Sequence, residues 1–289
     1  MRAPLLLQGS EPISYSDPRR IAGWATVVVV TYNSEEEIKA CLTSIELLPP
    51  GTRTVVVDNA STDATRDLVR QYAGVHLLEQ SVNRGFAAGV NAGIEQTSTP
   101  YVLVINPDVT LTATAVEGLC EGLDQHPEYA ALGCRMHYSD GTPQVSARPF
   151  PTVFGFVRRV LLTLRFGRRV ADPSLAQPRL DVRSRFLPEG IATVDWVLGG
   201  CMLIRRAAYA DIGPFDEKYF LYYEDIDWCF RAHVQQWRVG IVHTVEVVHE
   251  YKRASSHFTL RNRLSWVHLR SAIRFFVKFC RLRGISMWA

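Results

Sequence analysis

The chain has 289 residues, of which 47% are hydrophobic and 21% charged, a balance typical of a folded protein and not of a disordered one. This length allows one large domain or two modest ones. The net charge is only +3, but nine of the 32 basic residues follow Glu250 and no acidic residue does. The acidic body and the basic tail predict an anionic partner for the tail.

Neither end of the sequence indicates secretion or membrane insertion. Residues 1–22 contain too short an apolar run for a signal peptide and are interpreted as an N-terminal extension. No stretch reaches the roughly 18 apolar residues that cross a bilayer. The six cysteines form no CxxC pair and are predicted to be buried and reduced. We therefore expect a cytoplasmic protein, either soluble or peripheral at the inner face of the cell membrane.

Strands and helices alternate between residue 25 and about residue 135. Continuous apolar runs predict strands at 25–32, at the start of "TRTVVVDNASTDATRDLVRQY", at 74–80 and at 101–109, with helical segments between them. Ser34 and Glu37 have the spacing of a capping box, which predicts a helix start there. Such alternation is typical of βαβ units, so we expect an α/β fold with a Rossmann-like, mostly parallel sheet flanked by helices.

The composition changes after about residue 135. Residues 140–190 are rich in proline and arginine, and nine basic residues lie between Arg148 and Arg185 against two aspartates. This segment is interpreted as a basic excursion with one amphipathic helix near 153–166. Order returns in "VDWVLGGCMLIRRAAYADIG", so we place a single domain at 23–254.

Three polar clusters follow the predicted strands: Thr31-Tyr32-Asn33, Asp58-Asn59 and Asn106-Pro107-Asp108. Ligands of open α/β sheets bind beyond the carboxyl ends of the strands. Each cluster alone could be a turn or a cap, but the three together predict a binding crevice. The segment "TYNSEE" after the first strand has no glycine, which excludes a dinucleotide fingerprint of the Rossmann type. The glycines of "NRGFAAGVNAG" are weak evidence for a phosphate or sugar contact.

Asp108 has two interpretations. It could hold a divalent cation that bridges two phosphates, because Mg²⁺ is commonly held by one or two carboxylates together with substrate phosphates. Such an ion would absorb charge on a departing nucleoside diphosphate. Alternatively, Asp108 caps the helix that starts near Thr112.

The segment "YFLYYEDIDWCFR" (219–231) places Glu224, Asp225 and Asp227 directly after four aromatic residues. Asp227 and Arg231 have the i,i+4 spacing of a helical ion pair. Asp225 is either the N-cap of this helix or a group that takes part in a reaction.

Six segments carry a resemblance to a known family: "VVVVTYNSEEEIKACLTSI", "VVVDNASTDAT", "NRGFAAGVNAGI", "INPDV", "VLGGCMLIRR" and "FLYYEDIDWCFR". Their order resembles that of family-2 glycosyltransferases of GT-A fold, over roughly residues 25–280. Within that family they look most like bacterial dTDP-rhamnosyltransferases of cell-wall and surface polysaccharide synthesis.

The resemblance implies a role for each motif. Donor nucleotide and sugar would be bound by Thr31, Tyr32, Asn33, Asp58, Asn83, Gly85, Asn91 and Asn106. Asp58 would accept the N3–H of uracil or thymine, and Asn106 replaces the first carboxylate of the family's DxD motif. Asp108 and His249 would hold Mg²⁺ or Mn²⁺, although a histidine after a strand can be purely structural.

The resemblance also implies which residues bind the acceptor and which one acts as the catalytic base. Trp196, Gly199 and Gly200 would form the acceptor platform, unless Trp196 is a core residue, and residues 140–190 would lie on the acceptor side. Asp225 would be the catalytic base, and Glu224 beside it would raise its pKa.

The tail, residues 255–289, is predicted to form a basic amphipathic helix. One stripe carries Arg263, Arg270, Arg274, Lys278 and Arg281, and the adjoining apolar stripe carries Trp266, Leu269, Ile273, Phe276 and Cys280. The helix could lie on an anionic membrane surface that presents a lipid-linked acceptor. Alternatively, its apolar stripe packs on the domain or on a second subunit. No recognition motif for nucleic acid accompanies the charge.

The sequence thus predicts an inverting glycosyltransferase. Its donor would be dTDP-β-L-rhamnose or, alternatively, a UDP-hexose or UDP-GlcNAc, and its acceptor a hydroxyl of a lipid-linked saccharide. A non-catalytic saccharide-binding protein is the alternative outside enzymes, and a homo-oligomer is compatible with the sequence. A sugar nucleotidylyltransferase would carry a glycine-rich loop after the first strand, which this chain lacks.

Overall fold

The computed structural model describes residues 23–156, 158, 190–250 and 263–282. The N-terminal extension and most of the 140–190 excursion lie outside the described residues. Of the helix predicted near 153–166, residues 153–156 and 158 are helical.

Ten of the twelve strands in the described residues form one sheet. The strands are β1 (Ala25–Thr31), β2 (Arg53–Asp58), β3 (Val75–Glu79), β4 (Tyr101–Ile105), β5 (Val109–Thr110), β6 (Tyr129–His137), β7 (Pro143–Gln144), β8 (Ala147–Arg148), β9 (Ile191–Val194), β10 (Trp196–Val197), β11 (Cys201–Arg205) and β12 (Arg238–His249). The sheet order is β3-β2-β1-β4-β11-β6-β12-β5, with β7 beside β6 and β9 beside β12, whereas β8 and β10 pair separately. The first four strands of this order are parallel, and β11 runs antiparallel between β4 and β6.

Besides residues 153–156 and 158, seven helices accompany these strands in the described part of the chain. They are α1 (Ile38–Glu46), α2 (Thr65–Val69), α3 (Phe86–Glu95), α4 (Ala113–Gln125), α5 (Arg206–Ile212), α6 (Glu224–Val234) and α7 (Arg263–Leu282). The predicted α/β fold with a Rossmann-like sheet and a C-terminal helix is confirmed. The predicted capping box is wrong, because α1 begins at Ile38 after Glu37, and the Ser34 carbonyl, not its hydroxyl, accepts from the helix start.

The sequence builds the sheet from runs that are apolar on both faces. All seven residues of β1 are buried, since helices cover both sides of this central strand. Helix α3 packs closely on it through two glycines: a Cβ at Gly89 would lie 2.6 Å from Val30, and one at Gly93 would lie 2.4 Å from Val28. Two of the glycines predicted to be weak evidence for a phosphate contact therefore serve packing of the helix against the sheet.

Helix α7 packs on the domain beside α6. Ala272, Phe275, Phe276 and Cys280 are buried, and the Phe275 ring lies 6.1 Å from that of Phe230 on α6. The buried stripe is thus rotated from the predicted one, because Trp266 and Ile273 are both more than half exposed. The tail helix therefore packs on the domain, as one of the two alternatives expects, but through a different apolar stripe.

Two of the predicted basic-stripe residues face the protein instead of solvent. Lys278 Nζ lies 2.8 Å from the Asp227 carboxylate and 3.2 Å from Asp216, and Arg274 lies 3.3 Å from Asp216. Asp227 also accepts from Arg231 Nε at 2.9 Å, which confirms the predicted i,i+4 ion pair. This buried carboxylate therefore ties α7 to α6.

None of the described helices is both long and apolar enough to span a bilayer.

Candidate active site

The carboxyl ends of the parallel strands meet at one edge of the sheet, as the polar clusters predict. Thr31 pairs with Asp58 at the ends of β1 and β2, and Ile105 at the end of β4 lies opposite Cys201 at the start of β11. The turn before β11 therefore enters the same edge, and it carries Gly199 and Gly200. This turn is the centre of the site.

The two glycines join two groups of side chains. A Cβ on Gly199 would lie 3.5 Å from the Asp225 Cβ, and one on Gly200 would lie 3.4 Å from His249 Cε1 and 3.2 Å from Asn106 Nδ2. Consecutive Cα atoms are only about 3.8 Å apart. Asp225 and the Asn106–Asp108–His249 group thus lie on neighbouring sides of one turn, and not on opposite surfaces of the protein.

Asp225 is held rigidly at the start of α6. Its Oδ2 accepts a hydrogen bond from Gly199 N at 3.0 Å and its Oδ1 one from Ile226 N at 2.8 Å. Burial raises the pKa of the Asp225 carboxyl, and these N–H groups offset part of the rise. The helix begins after Tyr223, so Asp225 is not its N-cap. The carboxylate is therefore fixed in place by the backbone and is more basic than an exposed aspartate.

Glu224 behaves differently from its neighbour. It is 5% exposed, and its Oε2 is buried with no hydrogen-bond partner among the described residues. Burial, and next the charge of Asp225, raise the pKa of Glu224 well above its usual value. The charge of Asp225 therefore favours the protonated form of Glu224.

The two residues before these acids have strained backbones. Tyr222 and Tyr223 have φ values of 68° and 70°, in the left-handed region that non-glycine residues rarely adopt. Helix α7 supports them: Ser271 Oγ donates to Leu221 O at 3.0 Å, and the ring of His268 lies 5.3 Å from both tyrosine rings. The C-terminal helix therefore braces the segment that carries Asp225.

Asp108 and His249 meet across paired strands. His249 pairs with Val109 between β12 and β5, which brings its Nε2 to 3.2 Å from Asp108 Oδ1. Both side chains are largely buried, and Asp108 Oδ1 has no hydrogen-bond partner among the described residues. Asp108 does not cap the next helix, because Thr112 does so with its own hydroxyl.

A divalent cation fits this pair. Imidazole nitrogen and carboxylate oxygen are both common metal ligands, and a cation would satisfy the orphaned Asp108 oxygen. No group of three or more histidine, cysteine, aspartate or glutamate ligands is found among the described residues. Within the described residues, Asp108 and His249 are thus two side chains that could hold such an ion.

On the nucleotide side, the structure changes the expected role of Asp58. Its carboxylate is fully buried and accepts from Thr31 Oγ1, from the N–H and hydroxyl of Ser61, and from Arg66 Nε at 2.6 Å. All of its acceptor positions are thus used within the protein. Asp58 therefore ties β1 to the turn after β2, and it has no free acceptor position for the expected contact with a nucleobase.

The other strand-end residues stand at the surface or in turns. Tyr32 is 52% exposed, and Asn33 Oδ1 accepts from Thr62 N at 2.9 Å. Asn83 Oδ1 accepts from Gly85 N at 2.9 Å. Gly85 has φ +94°, and a Cβ there would lie 2.2 Å from Phe220 O, so only glycine fits this turn.

Two residues predicted to touch substrates are structural instead. Asn91 Nδ2 donates to Phe215 O and its Oδ1 accepts from Tyr209 and from Phe215 N, each at 2.9 Å, so that it has little capacity left for a sugar. Trp196 is 7% exposed and donates its indole N–H to Pro149 O, so it is a core residue and not an acceptor platform. Burial overrides the sequence pattern at both positions.

Two residues of the site, Phe86 and Gln144, escape the sequence argument, and Asn59 stands in a predicted polar cluster without an assigned role. Asn59 is 3% exposed and its Oδ1 has no hydrogen-bond partner among the described residues, next to the saturated Asp58. Phe86 Cε1 would lie 3.4 Å from a Cβ on Gly199. Gln144 holds His249 by two hydrogen bonds. Asn59 alone had a signal in sequence, its place beside Asp58 at a strand end.

Residues 26–179, more than half of the chain, match the family model of glycosyl transferase family 2. The chain belongs to this family. A family-2 glycosyltransferase of GT-A fold is an enzyme, so the alternative of a non-catalytic saccharide-binding protein is set aside.

Two relatives of this glycosyltransferase are named rhamnosyltransferases. It is 29% identical over 261 residues to an N-acetylglucosaminyl-diphospho-decaprenol L-rhamnosyltransferase of Mycobacterium tuberculosis, covering 84% of this chain and 83% of that protein. It is 22% identical over 259 residues to rhamnosyltransferase WbbL of Escherichia coli, covering 87% and 92%. The predicted likeness to rhamnosyltransferases is thereby confirmed.

The fold has solved counterparts with a bound metal. A mannosyltransferase from Pyrobaculum calidifontis, in complex with GDP-Man and Mn²⁺, superposes with a TM-score of 0.57 at 19% identity. The match covers 89% of this chain and 64% of that one, so this chain spans less than two thirds of the solved protein. At this identity the likeness establishes the fold alone.

Proposed function

We propose that this glycosyltransferase transfers L-rhamnose from dTDP-β-L-rhamnose to a hydroxyl of a lipid-linked saccharide, with inversion at the anomeric carbon. The observation that supports the substrates is the match over 84% of the chain to an L-rhamnosyltransferase whose name states a diphospho-decaprenol acceptor. The observation that supports the mechanism is the single carboxylate of Asp225, held by two backbone N–H groups beside the Asp108–His249 pair.

Asp225 accepts the proton of the acceptor hydroxyl as that oxygen forms a bond to the anomeric carbon. The bond from the anomeric carbon to the diphosphate oxygen breaks in the same step, and its electron pair leaves with the nucleoside diphosphate. A single displacement from one face inverts the carbon, and one base is sufficient, as for the water-activating carboxylate of inverting glycosidases. The raised pKa of Asp225 makes it a better base than an exposed aspartate.

Asp108 Oδ1 and His249 Nε2 would hold Mg²⁺ or Mn²⁺. When bound, such an ion supplies positive charge beside the diphosphate as negative charge develops on it. Asn106 lies beside Gly200, as His249 does, and carries no charge. Asp108 would therefore be the single carboxylate of this group at the ion, and the phosphates of the donor would balance the rest of the charge of the ion.

The base and ribose side is assigned to the exposed strand ends. Tyr32 and Asn33 would contact the nucleotide directly, whereas Thr31 and Asp58 set the shape of the crevice from beneath. Asn83 and Gly85 form the turn at the start of α3 that would line the donor sugar. Gly199 and Gly200 give the acceptor close access to backbone between the base and the metal ligands.

A panel of nucleotide sugars tests the donor. We expect dTDP-rhamnose with Mg²⁺ or Mn²⁺ to raise Tm by several degrees, because a ligand at about 100 times its Kd stabilises a fold by about 2.7 kcal/mol, and about 1 kcal/mol raises Tm by about 2–4 °C for domains of roughly 150–250 residues. The comparison donors are UDP-glucose, UDP-galactose and UDP-GlcNAc. A larger shift with a UDP-sugar would transfer the assignment to that donor, the second candidate function.

The tail is proposed to approach an anionic membrane that carries the acceptor. Arg274 and Lys278 are bound to aspartates of the domain, so this role would fall to Arg263, Arg270 and Arg281, which are all exposed on α7. Such a location agrees with a peripheral enzyme at the inner face of the cell membrane.

Charge reversal of these three arginines to glutamate is expected to lower partitioning onto anionic vesicles about 100-fold at low salt, since each basic side chain near an anionic surface contributes to binding. Co-sedimentation with vesicles of phosphatidylglycerol and phosphatidylcholine measures the effect. The matched control reverses three exposed basic residues elsewhere, Lys39, Arg53 and Lys218, and should bind nearly as the unmodified chain does. Equal loss in both triple variants would show that net charge, and not the helix, governs binding.

A further inference from the structure

We propose that Gln144 is a positioning residue that fixes the tautomer of His249 and aims its Nε2 at Asp108. The proposal rests on the metal site of the proposed function, but its first evidence is a pair of hydrogen bonds within the chain. Gln144 belongs to a segment for which the sequence predicts only a basic excursion.

The side-chain amide of Gln144 binds His249 at two points. Its Nε2 donates to the backbone oxygen of His249 at 2.6 Å, and its Oε1 lies 2.9 Å from the Nδ1 of the same residue. A backbone oxygen can only accept, so the amide nitrogen must face it. The amide orientation is therefore fixed by chemistry.

The orientation of the amide determines which ring nitrogen carries a proton. The amide oxygen can only accept, so His249 Nδ1 must be the donor and must carry a hydrogen. In the neutral imidazole the other nitrogen, Nε2, then has a lone pair. That nitrogen lies 3.2 Å from Asp108 Oδ1, so Gln144 turns a metal-binding lone pair toward the carboxylate.

Gln144 and Asp108 reach His249 from the two opposite edges of β12. Gln144 pairs with Met136 in the hairpin of β6 and β7, and the neighbouring β6 residue His137 pairs with Val248 of β12. On its other edge, β12 pairs His249 with Val109 of β5. His249 thus lies between Gln144, which determines the ring nitrogen that carries the proton, and Asp108, which would bind the same metal ion.

Histidine ligands of metals commonly donate their second N–H to a fixed acceptor, and loss of such an acceptor typically costs about 10–100-fold in metal affinity. We therefore expect Gln144→Leu to weaken Mn²⁺ binding by about 10–100-fold. Gln144→Glu keeps an acceptor for Nδ1–H but replaces the donor to the His249 carbonyl with a second oxygen, so it should retain only part of the Mn²⁺ affinity and still more than Gln144→Leu. Gln71→Leu, an exposed substitution of the same kind, is the matched control.

Two measurements on the full chain test the proposal. The first is ¹⁵N NMR of histidine-labelled protein without metal, at about pH 8 where an ordinary imidazole is neutral. We expect His249 to carry its proton on Nδ1 in the unmodified chain and in Gln144→Glu, and to shift toward the Nε2–H form in Gln144→Leu. An Nε2–H form in the unmodified chain would overturn the proposal, whatever Gln144→Leu does to folding.

The second measurement is a titration with Mn²⁺ monitored by electron paramagnetic resonance, with dTDP and, separately, UDP present. Affinity reduced in Gln144→Leu and restored in part in Gln144→Glu supports the positioning role. Unchanged affinity in a folded Gln144→Leu variant overturns it. If the unmodified chain binds no Mn²⁺ with either nucleotide, the metal step of the proposed function fails, and the assignment of the His249 tautomer is still decided by NMR.

Discussion

Replacing Asp225 with asparagine is expected to lower kcat by about 10²–10⁴-fold, the usual contribution of a general base. The amide cannot take the acceptor proton. It also places an NH₂ group opposite one of the two N–H donors, Gly199 N or Ile226 N, that the carboxylate now accepts. Binding of the nucleoside diphosphate should persist, because Asp225 lies beside Gly199, whereas His249, a proposed metal ligand, lies beside Gly200. Rapid-quench turnover and calorimetric binding measure the two properties separately.

Glu224→Gln is the control for this substitution. Burial and the charge of Asp225 raise the pKa of Glu224, so a neutral glutamine matches the form that they favour, and kcat should change by less than about tenfold, well below the loss of a general base. A folded pKa above the unfolded one means that Glu224 stabilises the fold below its unfolded pKa and loses this contribution as pH rises through the folded pKa. Glu224→Gln should therefore be the more stable protein at neutral pH. Near-normal turnover in Asp225→Asn, or an equal loss in both variants, would contradict the assignment of the base.

The pH profile follows from the same geometry. Asp225 must be ionised to accept a proton, and burial raises its pKa. The acid limb of kcat/KM should therefore lie at a higher pH than an exposed aspartate would give, and activity should rise with pH across that limb.

The sequence predicts the edge of the sheet well, because each strand and the polar residues after it can be read from a short local segment. The runs that form β1, β2 and β4 are apolar on both faces, and parallel strands must bring Thr31, Asp58 and Asn106 to one edge. The pattern around Asp225 and the pair of glycines likewise predicts the centre of the site. The roles proposed for these residues remain predictions, but their proximity follows from the topology.

What the sequence does not predict depends on contacts between distant segments. Gln144 reaches His249 only because β7 joins β6 and β6 joins β12, a pairing that no local pattern reveals. Asn91 and Trp196 look available in sequence, but the loop at Phe215 and the carbonyl of Pro149 take up their polar groups. The tail shows the same effect, since its periodicity predicts an amphipathic helix, whereas the rotation of that helix is set by Asp216 and Asp227 on the domain.

Replacing Asp108 with asparagine is expected to lower both metal-dependent binding of the nucleoside diphosphate and kcat. The substitution removes the carboxylate that faces His249 Nε2 at 3.2 Å and leaves one neutral ligand. Metal affinity should fall by more than the roughly 10–100-fold that loss of an outer partner costs. Because a metal ion contributes several kcal/mol of charge stabilisation and about 1.36 kcal/mol is tenfold in rate, kcat should fall by about 100-fold or more.

Calorimetry of dTDP binding with Mg²⁺ and with chelator separates the metal effect of Asp108→Asn from a folding effect. The backbone oxygen of Asp108 accepts from Glu250 N at 2.9 Å, and this bond, which adjoins the pairing of β5 with β12, is kept when only the side chain changes. We therefore expect a folded variant whose weak dTDP binding no longer responds to Mg²⁺. Asp124→Asn, an exposed substitution of the same charge, should titrate as the unmodified chain does. A Mg²⁺-dependent titration that survives in Asp108→Asn would exclude this residue as a metal ligand and place the charge stabilisation of the diphosphate elsewhere in the crevice.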